Sequence, residues 1–140
     1  MIKKIYSKLN PKELLSIVYF SQPTTEHIDS IKRHEITEPE HFLQAIMYEI
    51  PAETTIKPHK HNPQERKTSH THESLLILKG SVELFIYDTD KKLVEKTVLK
   101  KGDCSVIISG GHSFKTITKA EVFEFKNGPF TGSDKDRTYF

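Results

Sequence analysis

The sequence predicts an all-β domain of the sandwich or barrel kind, and three observations carry that expectation. Between positions 42 and 126, runs of β-branched, aromatic and aliphatic residues recur, each only a few residues long. Turn signals separate them, at Gly80, Asp88-Thr89-Asp90-Lys91-Lys92, Lys101-Gly102-Asp103 and Ser109-Gly110-Gly111. One run, Ser81–Asp88, alternates cleanly, with Val82, Leu84 and Ile86 on one face. Many short strands at even spacing with turns between them are the pattern of a closed or double-layered β architecture.

The elements follow in order. Asn10-Pro11-Lys12-Glu13 reads as the start of a short helix, with Asn10 as N-cap, Pro11 at the first helical position and Glu13 at the third. Ser16–Phe20 is β-branched and aromatic and predicts an extra N-terminal strand. Residues 21–40 read as an irregular connection with one helical turn near His27–Arg33. Strands are expected at Phe42–Ile50 and Ala52–His61, the second weakened by Pro58. Asn62–Ser69 is wholly polar and reads as a loop. Further strands are expected at Glu73–Lys79, Ser81–Asp88, Leu93–Leu99, Cys104–Ile108, His112–Thr118 and Glu121–Lys126. The tail 127–140 is polar, with Phe130, Tyr139 and Phe140 as possible pins against the core or a second subunit.

At 140 residues the chain is expected to form one domain, 1–140, with its core at about 42–126, a segment 1–41 before it and the tail after it. A formal net charge of +2, with both signs mixed along the chain, argues against a nucleic-acid surface. No apolar run approaches a membrane span, and Met1–Tyr6 has a positive start without the apolar stretch of a signal peptide, so a cytoplasmic protein is the expectation. Cys104 stands alone, which fits a reducing compartment and predicts a buried, inert thiol. Tyr48, Phe85, Tyr87, Phe114, Phe123 and Phe125 are expected in the core.

Chemistry concentrates at His59-Lys60-His61, Glu73 and Gly110-Gly111-His112. Side chains of a strand alternate faces, so His59 and His61 share one. Two glycines before His112 let the backbone turn sharply. Three imidazoles and a carboxylate are a donor set for a divalent transition metal such as iron, manganese, zinc or nickel. The expected ligands are therefore His59, His61, Glu73 and His112. Glu65 is the rival carboxylate, since it lies closer to His61 than Glu73 does. His70 and His72 form a second pair whose parity opposes that of Glu73, so they are expected at the rim of the site.

These residues resemble the cupin superfamily. Its first motif is His-x-His, a short spacer, Glu, six residues and Gly; here His59-Lys60-His61 and Glu73 through Gly80 correspond, with a longer spacer. Gly102-Asp103 and Ile108-Ser109-Gly110-Gly111-His112 resemble the second, with Ile108 in place of proline. Phe42-Leu43-Gln44, Lys57-Pro58 and Gly128-Pro129-Phe130 are similar to a group of small bacterial cupins found among genes of surface-polysaccharide and sugar-nucleotide synthesis. The resemblance implies a single jelly roll (double-stranded β-helix), one bound metal, and a small polar ligand, a carbohydrate or sugar nucleotide. It implies isomerase- or epimerase-like chemistry. The alternatives are a non-catalytic metal- and ligand-binding module, an iron-dependent dioxygenase-like cupin, or a metal-free isomerase with histidines as acid and base. A homodimer is expected, with the Ile17–Phe20 strand pairing across a two-fold axis.

Overall fold

The computed structural model describes residues 1–22 and 27–140. Its strands are β1 (Ile2–Tyr6), β2 (Leu14–Tyr19), β3 (Lys32–Glu35), β4 (Ile46–Glu49), β5 (Glu73–Lys79), β6 (Ser81–Tyr87), β7 (Leu93–Lys100), β8 (Cys104–Ile107), β9 (Gly111–Thr116) and β10 (Glu121–Lys126), followed by one helical turn, α1 (Ser133–Asp136). All pairings are antiparallel. They form a five-stranded sheet of order β1-β2-β8-β5-β10, a three-stranded sheet of order β7-β6-β9 and a β3-β4 hairpin. The protein is therefore all-β, and none of its sheets closes into a barrel.

The five-stranded sheet is covered on its inner face, and on its outer face over β2 and β8. Its inner face packs Leu15, Val18, Leu75, Ile77 and Ile107 against Val82, Leu84, Ile86 and Leu99 of the three-stranded sheet. The outer face of β2 and β8 packs Ile17, Tyr19 and Val106 under Ile36, Leu43, Ala45 and Met47 from around the β3-β4 hairpin. This explains why the run Leu15–Tyr19 is continuously buried instead of alternating. Each fully buried aliphatic side chain contributes about 1.5–3 kcal/mol by leaving water. β6 faces solvent on one side and keeps the clean alternation expected of it.

From β5 onward the strands lie where the sequence predicts them. Gly80 joins β5 to β6 at φ +76°, and a Cβ there would collide with the Lys119 carbonyl. The β6-β7 hairpin turns at Asp88–Lys92, where Asp88 N–H donates to Lys92 O at 2.8 Å.

Nearer the N-terminus several expectations are corrected. The helix at Asn10 does not form. Asn10 Oδ1 instead accepts from Lys12 N–H at 3.2 Å, its carbonyl accepts from Glu13 N–H at 2.8 Å, and the chain turns straight into β2. A cap cannot sustain a helix when the apolar residues after it are drawn into a doubly covered strand. Met1–Tyr6, not anticipated as a strand, becomes β1 and takes one edge of β2 while β8 takes the other. With both edges occupied, β2 has no free ladder for a two-fold partner. The helical turn near His27–Arg33 is replaced by a bend at Asp29-Ser30 and the start of β3; residues 23–26 of that connection lie outside the described residues. The strand expected at Phe42–Ile50 shrinks to β4, and Ala52–His61 has no ladder at all. Three prolines between 51 and 63 remove donors there, and Ile56 is the only large apolar side chain to bury.

The N-terminal strand is tied to the β6-β7 turn by Asp88, which is buried. Its carboxylate accepts from Ser7 Oγ at 2.7 Å, Lys8 N at 2.7 Å and Thr89 N at 2.9 Å. Burial pushes this carboxyl up, but the donors together outweigh it and hold it below its ordinary range. Asp88→Asn is expected to lower the urea midpoint at neutral pH. The wild-type advantage is complete above the unfolded value of about 3.9 and disappears as pH falls through the lower folded value. Urea titrations across this range check the convergence; equal midpoints at neutral pH would contradict the anchoring role.

Candidate functional site

At one end of the sandwich the inward-facing positions change character. On β5, Leu75 and Ile77 face the core, and Glu73 follows them on the same parity. On β10, Val122 packs on the core opposite Ile77, while Glu124 and Lys126 continue that parity opposite Leu75 and Glu73. On β9, His112 stands opposite Ile86 and Phe114 opposite Leu84, so both face inward. The apolar interlayer thus ends in a charged mouth.

That mouth is a cleft of about 670 Å³ whose lining includes His70, Glu73, His112, Phe114, Glu124 and Arg137. Glu73 is 7% exposed, and its Oε1 lies 3.0 Å from His112 Nε2. Its carboxyl is held below the ordinary range, chiefly by the hydrogen bond from His112, against the upward push of burial, with Arg137 and Lys126 adding positive charge. Glu124 lies 3.3 Å from Lys126 Nζ and 3.8 Å from Arg137 Nη2. The tail closes one wall. Asp136 Oδ1 accepts from Thr71 Oγ1 at 3.0 Å, and Phe140 stacks edge-on against Tyr87 with centroids 5.4 Å apart. The Phe140 ring fills the space a Cβ on Gly111 would need.

Of the four expected metal ligands, the structure brings Glu73 and His112 together. His59 and His61 stand on the exposed, strand-free segment after β4, in contact with each other at 5.6 Å between centroids. Their shared face was expected from an extended strand, and that strand does not form. Among the described residues no three His, Cys, Asp or Glu side chains are grouped to hold a cation, so the donor set does not fit a metal in this arrangement. Glu65 pairs with Lys67 at 2.9 Å on the same exposed segment.

The second histidine pair divides although both members share one parity, because β5 begins only at Glu73 and no strand period governs the residues before it. His70 lines the cleft. His72 is not at a solvated rim: it is 6% exposed and packs against His41 and Phe42. Burial holds its imidazole below the ordinary range, and its Nδ1 has no hydrogen-bond partner. Cys104 turns to the outer face, near Ser74 Oγ at 3.2 Å, and burial pushes its thiol up, as an inert cysteine requires. The aromatic residues are corrected: Phe114, Phe123, Phe125 and Tyr48 are exposed, Phe114 as a wall of the cleft.

Glu124, Lys126 and Arg137 were not singled out from the sequence. The first two carried a signal, since they share the parity of Val122 in a six-residue strand. Arg137 carried none, because a polar tail has no period.

A family model described as a domain of unknown function (DUF6016) matches residues 32–99. That stretch begins at β3 and ends in β7; it includes Glu73 and excludes His112. No curated protein and no solved structure matches the chain.

Removing the imidazole in His112→Ala leaves Glu73 buried without its main donor. Its carboxyl is then expected to titrate higher than in the wild type, followed by carbon-detected NMR of the Glu73 side chain. The wild type correspondingly holds stability from this group above about pH 4.3 and loses it as pH falls through the depressed value. An unchanged Glu73 titration in the variant would show that the hydrogen bond does not set it.

Proposed function

We propose that the chain is a cupin-like jelly roll that binds a small polar ligand of the carbohydrate or sugar-nucleotide class in the cleft, where His112, oriented by Glu73, moves a proton on it. The observation that carries this reading is the 3.0 Å contact between His112 Nε2 and Glu73 Oε1 inside a cleft open to solvent. A buried carboxylate fixes the orientation of an imidazole that it meets at hydrogen-bond distance. His112 is still partly exposed, so it remains accessible to a ligand. Glu124, Lys126 and Arg137 add acceptors and donors for hydroxyl or phosphate groups. Proton movement between neighbouring carbons is the isomerase- or epimerase-like chemistry such a pair can perform.

The jelly-roll reading draws support from the weave of the second half of the chain. β5, β8 and β10 lie together in one sheet, with β5 in the middle, while β6, β7 and β9 lie together in the other, with β6 in the middle. That alternation between two layers is how double-sheet jelly rolls are built. Titration calorimetry with free hexoses, hexose phosphates and UDP-hexoses tests the ligand. Binding of one class is expected, weakened about tenfold or more by His112→Ala or Glu73→Gln, the scale of one lost charged hydrogen bond. No binding by any of the three would overturn the proposal.

A second reading is favoured by the open edge of β9, which begins beside His112. If Ala52–His61 pairs on that edge as a further strand, His59 and His61 join Glu73 and His112 around a divalent metal, as in the metal-binding cupins this sequence resembles. A non-catalytic binding module would use the same four ligands. Elemental analysis of untagged protein tests this reading. Stoichiometric metal that is lost in His61→Ala and His112→Ala but kept in His70→Ala is the expected result. Absence of metal, or its retention in His61→Ala, would remove the four-ligand site.

A further inference from the structure

β10 is an edge strand, and its outward row is apolar. Phe123 and Phe125 lie on the outer face, opposite Leu76 and Ser74 of β5, with their rings 5.8 Å apart. They are 53% and 51% exposed, and Leu78 nearby is 39% exposed. The β3-β4 hairpin covers this face only over β2 and β8. Among the described residues, therefore, an unpaired ladder and an uncovered aromatic row coincide on one strand. Such an edge is a template for another strand.

We propose that β10 is the surface through which two copies of the chain associate, the two strands running antiparallel about an axis at Glu124. Side-chain parity together with the placement of the two phenylalanines selects this register. Opposed residues of an antiparallel pair share a face, so Phe123 of one copy must meet an odd-numbered residue of the other. With Glu124 at the axis, Phe123 meets Phe125 twice, making a four-ring cross-strand cluster on the outer face. Aromatic cross-strand pairs of this kind are favourable. On the inner face Lys126 of each copy becomes the diagonal neighbour of Glu124 of the other, within reach of a long side chain. The two Glu124 carboxylates at the axis are thus countered by the lysines that already accompany them.

The chain's own strand-free segment is the competing occupant, and it matches the surface poorly. Residues 51–69 hold one large apolar side chain, Ile56, and three prolines, so they cannot cover the aromatic row or donate a full ladder. A second copy brings an identical aromatic row. The association does not require a ligand in the cleft, although Glu124 also lines it. It replaces the pairing through Ile17–Phe20, whose ladder is occupied on both sides.

Size-exclusion chromatography with light scattering on the full chain tests it. The wild type is expected at twice the 16.2 kDa chain mass. The double variant Phe123→Lys with Phe125→Lys is expected at the single-chain mass, with an unchanged circular dichroism spectrum, because both positions are exposed. Val98→Lys, at an exposed position on the far edge strand β7, is expected to remain a dimer. A monomeric wild type would overturn the proposal. A dimer that survives the double substitution would overturn it by moving the interface elsewhere.

Discussion

The hydrogen bond between Glu73 and His112 stands where the apolar interlayer ends, and the geometry of the open end follows from it. A carboxylate that is 7% exposed is costly unless it is paired. Pairing it requires the start of β5 and the start of β9 to face each other across the interlayer. Those two strands belong to different sheets, so the bond also sets how the sheets meet at this end. Lys126 and Arg137 stand at the same end, where they add positive charge near the buried Glu73 and pair with the exposed Glu124.

The opposite demand shapes the rest of the molecule. β2 and β8 are buried on both faces, one by the three-stranded sheet and one by the β3-β4 hairpin. This central pair holds the sandwich together, while β9 and β10 remain edges beside the cleft. Open edges thus lie next to a polar mouth. They also leave the aromatic row of β10 without a cover among the described residues.

The second half of the fold was readable because its signals are local. Gly80, the Asp88–Lys92 turn and the Lys101-Gly102-Asp103 turn each break a run, and the strands between them satisfy the period of two. The first half misled for an equally physical reason. Asn10-Pro11-Lys12-Glu13 has helix-start chemistry, but the Leu14–Tyr19 run after it buries more surface as a central strand than one turn of helix could. His59-Lys60-His61 looked like a strand because imidazoles on one parity have a use; the prolines and scarcity of apolar partners around it leave it without a ladder.

By itself the sequence determined the all-β class and the strands from Glu73 to Lys126, since each follows from period, turn chemistry or residue type along a short stretch. Only the tertiary structure decided which histidines meet a carboxylate, that His72 is buried while His70 lines the cleft, and that Glu124, Lys126 and Arg137 belong to the same mouth. Those facts depend on which strand edges pair across tens of residues. Ladder pairing at that range is chosen by the total burial of two sheets, which no local pattern contains.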